Sequence, residues 1–89
     1  MNDKQREILI ITQEECAEVI QEISKIFRFG IDAKHKDGLV HKQKLETEVG
    51  DLLCMICLMF EHNLIEFDEV TEAVHAKIKK LKIWSDIYK

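Results

Sequence analysis

Two acidic pairs in this 89-residue chain have types and spacing suited to chemistry: Glu15 and Glu18 within QEECAEVIQE (13–22), and Glu48 and Asp51 within ETEVGDLL (46–53). Members of each pair stand three residues apart, so on a helix they share one face. Carboxylates gathered this closely repel, by roughly 3 kcal/mol per pair at about 6 Å and an effective dielectric near 20. Protons, Lys or Arg partners, or a divalent cation must neutralise them, and donors that are all oxygen suit Mg²⁺ or Mn²⁺. For one ExxE motif, a solvated acidic helix face is the ordinary explanation. Two such pairs on successive helices weigh toward a metal site.

The elements that position these residues read as helices. There is no proline, there are three glycines, and no stretch alternates polar and apolar residues. The pattern predicts an all-α fold with a first helix from Asn2 or Asp3, either a suitable cap, to Phe29, with Gly30 as its stop. Residues 30–40, GIDAKHKDGLV, form one long connection, a possible lid over a site. A second helix is expected from Val40 to His62, with Asn63 as stop, and a third from Glu66 or Asp68 to Tyr88, carrying Phe67, Val70, Val74, Ile78 and Leu81 at helical spacing.

On the first helix an apolar face of Leu9, Cys16, Val19, Ile20, Ile23, Ile26 and Phe27 has Glu15 at its edge and Glu18 and Glu22 on the same border. On the second, Leu45, Val49, Leu52, Met55, Ile56 and Met59 form a stripe with Glu48 inside it, the clearest break in the local pattern. Folding the two helices as an antiparallel hairpin sets Glu18 level with Glu48 about 14 to 15 Å from the turn, and Glu15 level with Asp51 one turn further out.

The length supports one domain, residues 1–89, whose thin core leaves apolar faces for a partner subunit; a homo-oligomer is expected. Net charge is −4, from 17 acidic and 13 basic residues, with no basic face of the kind a nucleic-acid polymer requires. The N-terminal apolar run of four residues falls far short of a signal core or membrane span, so no membrane role and a cytoplasmic location are expected. Three cysteines argue against a disulfide framework, and Cys54 and Cys57, a CxxC within LLCMICLMF, read as core packing.

EECAEV (14–19) followed by ETEVGDLL (46–53) resembles the ExxE and ExxD motifs of MazG-like all-α nucleotide pyrophosphohydrolases, over about residues 8 to 62. Ala17 before the second Glu, Gly50 before the Asp and the Leu pair after it all fit. The resemblance implies Mg²⁺-dependent (Mn²⁺ possible) hydrolysis of a nucleoside or deoxynucleoside triphosphate to the monophosphate and pyrophosphate. It implies Glu15, Glu18, Glu48 and Asp51 as metal ligands. One of the carboxylates or a metal-held hydroxide would activate the attacking water, and Glu15 or Glu18 is the candidate base. It also implies a dimer or tetramer whose helices combine into a bundle.

Phosphate oxygens beyond the metal's reach need cations, for which Lys77 and Lys80 are candidates on the third helix. KIKKLKIWSDIYK departs from the family pattern in lacking a terminal arginine, which leaves those contacts and the substrate open. Phe29, His35, His41 and Trp84 are candidates for the base and sugar, since their ring faces can stack; packing or surface roles are the ordinary alternative for each.

Two other classes compete. A carboxylate-bridged di-iron bundle is set aside on the placement of histidines 35, 41, 62 and 75, since it needs Glu-x-x-His pairs. A non-catalytic helical oligomer that binds nucleotide or a protein partner is disfavoured by retention of all four motif carboxylates.

Overall fold

The computed structural model describes residues 1–89 as three helices: α1 (Asp3–Phe29), α2 (His41–Glu61) and α3 (Phe67–Trp84). The start of α1 is fixed by a reciprocal cap. Asn2 Oδ1 accepts from the Gln5 amide at 2.8 Å, and Gln5 Oε1 accepts from the Asn2 amide at 3.0 Å. Gly30 ends α1 at φ 97°, a conformation that a side chain disfavours. Asn63, at φ 60°, follows the end of α2 in the same left-handed region, which asparagine tolerates.

The third helix is shorter than the periodicity suggests. Ser85 turns its hydroxyl back onto the Leu81 carbonyl at 2.7 Å, and its Oγ also accepts from the Ile87 amide. Those local bonds replace the next helical turn, so residues 85–89 lie outside α3.

α1 and α2 pack as an antiparallel hairpin, while α3 leaves it with no comparable packing. Phe60 and Phe67 touch at the α2–α3 corner, ring centroids 5.6 Å apart. The molecule is accordingly a slab of 40 × 37 × 14 Å with a radius of gyration of 16.0 Å. A chain of this length in a compact domain would measure about 12 Å.

The hairpin seam differs from the expected one on α1. Ile8 and Glu22 are buried, and Ile11, Glu15, Val19 and Ile26 are half-buried. Cys16, Ile20, Ile23 and Phe27 of the expected face are exposed, Phe27 at 86%. On α2 the expected stripe holds better: Met55 is buried and Leu45, Glu48, Leu52, Ile56 and Met59 are half-buried, but Val49 is exposed. Cys54 and Cys57 are also exposed, which corrects their reading as core.

The register follows from three levels along the seam. Ile8 with Met55, Glu15 with Glu48 and Glu22 with His41 are related by equal steps, seven residues forward on α1 for seven back on α2. Seven residues are close to two turns, so the three levels repeat on one seam.

The 30–40 connection is tied down rather than free. His35 N donates to Leu39 O at 2.7 Å, His41 N to Ala33 O at 3.0 Å and Lys42 N to Ile31 O at 2.9 Å. Lys34 and Val40 form an antiparallel bridge, and Lys44 Nζ donates to Asp37 Oδ2 at 2.7 Å.

Candidate metal centre

Glu15 from α1 and Glu48 and Asp51 from α2 present carboxylate oxygens that all lie within 4.8 Å of one another. Glu15 and Glu48 are half-buried on the seam, and Asp51 is exposed beside them. Glu18 lies outside this group of three and is exposed. Its charge still acts on Glu15 and Glu48. The contact of Glu22 with His41 sets the hairpin about a turn away from the expected level pairing of Glu18 with Glu48.

The electrostatics are uncompensated. None of the chain's four ion pairs involves Glu15, Glu18, Glu48 or Asp51. Desolvation on the seam raises the Glu48 carboxyl above its ordinary range, and the charges of Glu18, Asp51, Glu15 and Glu22 raise it further. Glu15 is raised in the same direction, first by desolvation and then by Asp51, Glu18 and Glu14. Lys44, the nearby cation, is engaged by Asp37. An all-oxygen donor set with excess negative charge fits a hard divalent cation such as Mg²⁺ or Mn²⁺.

One level toward the connection, Glu22 and His41 form a second polar contact. The ring Nδ1 of His41 lies 2.7 Å from the Glu22 carboxylate, with the two residues 2% and 3% exposed. The sequence pattern gave Glu22 only a border position, and the signal that identifies it is its seven-residue spacing from Glu15.

Phe29, His35 and His41 do come together, in a cleft of about 440 Å³ that Lys25, Lys34 and Lys36 also line. His41 is too buried there to offer a free ring face; it stacks on Phe29 with centroids 5.8 Å apart, and His35 meets it edge-on at 5.9 Å. Arg28 lies 5.0 Å from the Phe29 ring centroid. Phe29 itself is 56% exposed.

Lys77, Lys80 and Trp84 also gather, with Leu81, along a shallow groove of α3. Because α3 leaves the hairpin, that groove does not join the carboxylates within one chain. His75 does follow Glu72 by three residues, so one Glu-x-x-His spacing exists on α3 after all. It stands apart from the carboxylate cluster and has no second copy in the chain.

The fold and this cluster define a class: a helical hairpin whose facing helices carry a group of carboxylates suited to a divalent cation. No helix is long and apolar enough to cross a membrane. A family model for the MazG nucleotide pyrophosphohydrolase domain matches residues 4–82. The chain belongs to the MazG nucleotide pyrophosphohydrolase family. Neither the curated proteins nor the solved structures compared with it include a significant match.

Proposed function

We propose that the protein is a divalent-cation-dependent nucleoside or deoxynucleoside triphosphate pyrophosphohydrolase, releasing the monophosphate and pyrophosphate. The observation that carries this is the convergence of Glu15, Glu48 and Asp51 from two helices in a chain of the MazG family. Glu15, Glu48 and Asp51 would hold Mg²⁺ or Mn²⁺, with Glu18 at the edge of the set. The bound cation supplies charge neutralisation for the triphosphate and for the leaving pyrophosphate.

The chain's own residues divide the remaining work. Glu15 or Glu18 takes the proton of the attacking water; Glu18, outside the group of three, is the one left freer of the cation. Lys77 and Lys80 contact phosphate oxygens, and Trp84 with Phe29 flanks the base and sugar. His41 contributes to that end of the site by holding the Phe29 ring.

A homo-oligomer, a dimer or tetramer, completes this arrangement. Exposed Ile20 (65%), Phe27 (86%) and Leu53 (54%) on the hairpin, and the unpacked α3, leave apolar surface that a second copy would cover. A second copy also offers a route by which Lys77, Lys80 and Trp84 reach the carboxylates of a neighbouring hairpin. The family supports free nucleotides as substrate, and a net charge of −4 without a basic face argues against a nucleic-acid polymer as partner; we place the enzyme in the cytoplasm. Pyrophosphate release from a nucleotide panel, with and without divalent cation, tests this reading.

A further inference from the structure

Glu22 and His41 place two polar side chains in a core whose only buried apolar residues are Ile8 and Met55. A buried ionisable pair adds little net stability relative to apolar side chains of the same volume, and its best-attested use is to fix register. Apolar contacts such as Ile8 with Met55 survive a slide of the helices, because dispersion is non-directional. A hydrogen bond of 2.7 Å does not survive a slide of even one residue, about 1.5 Å along the axis.

The carboxylate cluster is coupled to that lock. Glu22 follows Glu15 by seven residues on α1, and His41 precedes Glu48 by seven on α2, so any slide at one level is the same slide at the other. His41 is also the first residue of α2. The Glu22 carboxylate thus sits at the positive end of a helix whose first turn holds no acidic residue, and the His41 amide is bonded to Ala33 of the connection.

We propose that Glu22 and His41 are a positioning pair that holds Glu15 opposite Glu48 and Asp51 in the register that binds the cation. This rests on the metal-dependent reading above. Neither residue belongs to the cluster itself; His41 acts through the helices that carry it, and Glu22 does so in addition to the charge it places near Glu48.

The test is Mn²⁺ binding to the full chain in its native oligomeric state, alongside helicity and melting temperature. Glu22→Ala and His41→Ala are each expected to weaken Mn²⁺ affinity by about tenfold or more, the size of effect seen when supports behind metal ligands are removed. The His41 variant matters because it removes no negative charge, so the same loss there reports position rather than electrostatics. Ile8→Ala, one level beyond the cluster on the other side, is expected to lower the melting temperature and leave Mn²⁺ affinity unchanged. Combining Glu22→His with His41→Glu restores a bonded pair and is expected to recover affinity; where an alanine variant does not fold, this exchange decides the matter. Unchanged Mn²⁺ affinity in folded Glu22→Ala or His41→Ala protein would overturn the proposal.

Should the wild type bind no Mn²⁺, the metal reading fails and the register is read directly. Spin labels on Cys16 and on Glu61→Cys, with Cys54 and Cys57 replaced by Ser, report the axial offset of the helices. A shift of several ångströms in the Glu22→Ala protein supports the lock, and an unshifted distance overturns it.

Discussion

Glu15 on α1 and Glu48 on α2 bring carboxylate oxygens within 4.8 Å of each other, with Asp51 in the same group and no cationic side chain paired to any of them. Two helices thus pack with like charges on their shared seam, at a level flanked by apolar Ile8 and Met55 on one side and bonded Glu22 and His41 on the other. The repulsion is a cost to the fold that a bound cation would remove.

Glu48→Gln is therefore expected to act in opposite directions on stability and function. In chelator the variant should melt above wild type, because it deletes a half-buried charge that its neighbours oppose. In Mg²⁺ the order should reverse, and turnover should fall by two orders of magnitude or more. Melting curves with and without metal check the first two points; wild-type turnover in the variant would contradict the site.

Glu18→Gln separates the edge of the cluster from its centre. Glu18 stands outside the group of three, so its loss should weaken Mn²⁺ binding less than Glu48→Gln does. A titration of both variants decides this. If Glu18 is nonetheless the base, its kcat loss will exceed its affinity loss.

Mg²⁺ or Mn²⁺ should raise the melting temperature of the wild type. Linkage gives about 2.7 kcal/mol at a free concentration one hundred times Kd. A melting curve indifferent to either cation would count against a site assembled in the free protein.

Asp37 and Lys44 tie the connection to α2, and their ionisation sets a pH window. The hydrogen bond from Lys44, and then that from the Leu39 amide, lowers Asp37 from 3.8 to about 2, while Lys44 is raised above 10.5 by the same bond. The lowered acid contributes stability above pH 3.8 that disappears as pH falls toward 2; the raised amine contributes below pH 10.5 and ceases to do so as pH rises beyond. Both groups face solvent, so the effect should be small. Asp37→Asn should flatten the acid limb of the melting-temperature profile, and an unaltered limb would remove this pair from the account.

Phe27→Asp or Leu53→Lys should split the proposed oligomer, since each puts a charge on an exposed apolar patch of the hairpin. Light scattering reads the mass. If α3 of one copy serves the carboxylates of another, the monomeric variants lose triphosphate turnover while retaining Mn²⁺ binding.

Much of the fold was legible because the helix boundaries have local causes. Asn2 and Gln5 form a cap, and Gly30 and Asn63 occupy positive-φ positions that those residue types favour. The carboxylates on α2 were legible because Glu48 interrupts an apolar stripe. The α1 face was misplaced for a physical reason: that helix carries two apolar stripes, and the unbroken one, Cys16, Ile20, Ile23 and Phe27, is exposed in the single chain. The stripe that meets α2 is interrupted by Glu15 and Glu22, so periodicity alone favoured the wrong side. The one-turn offset depends on how residues 31–42 bond back on themselves, which spacing from the turn does not encode.

Pyrophosphate release measured across canonical and modified nucleoside triphosphates, in Mg²⁺, in Mn²⁺ and in chelator, tests the central claim most directly. Release from one or a few nucleotides, abolished by chelator and by Glu48→Gln, is the expected result. No release from any of them by folded, cation-bound oligomer would contradict hydrolysis and leave the cluster as part of a binding protein.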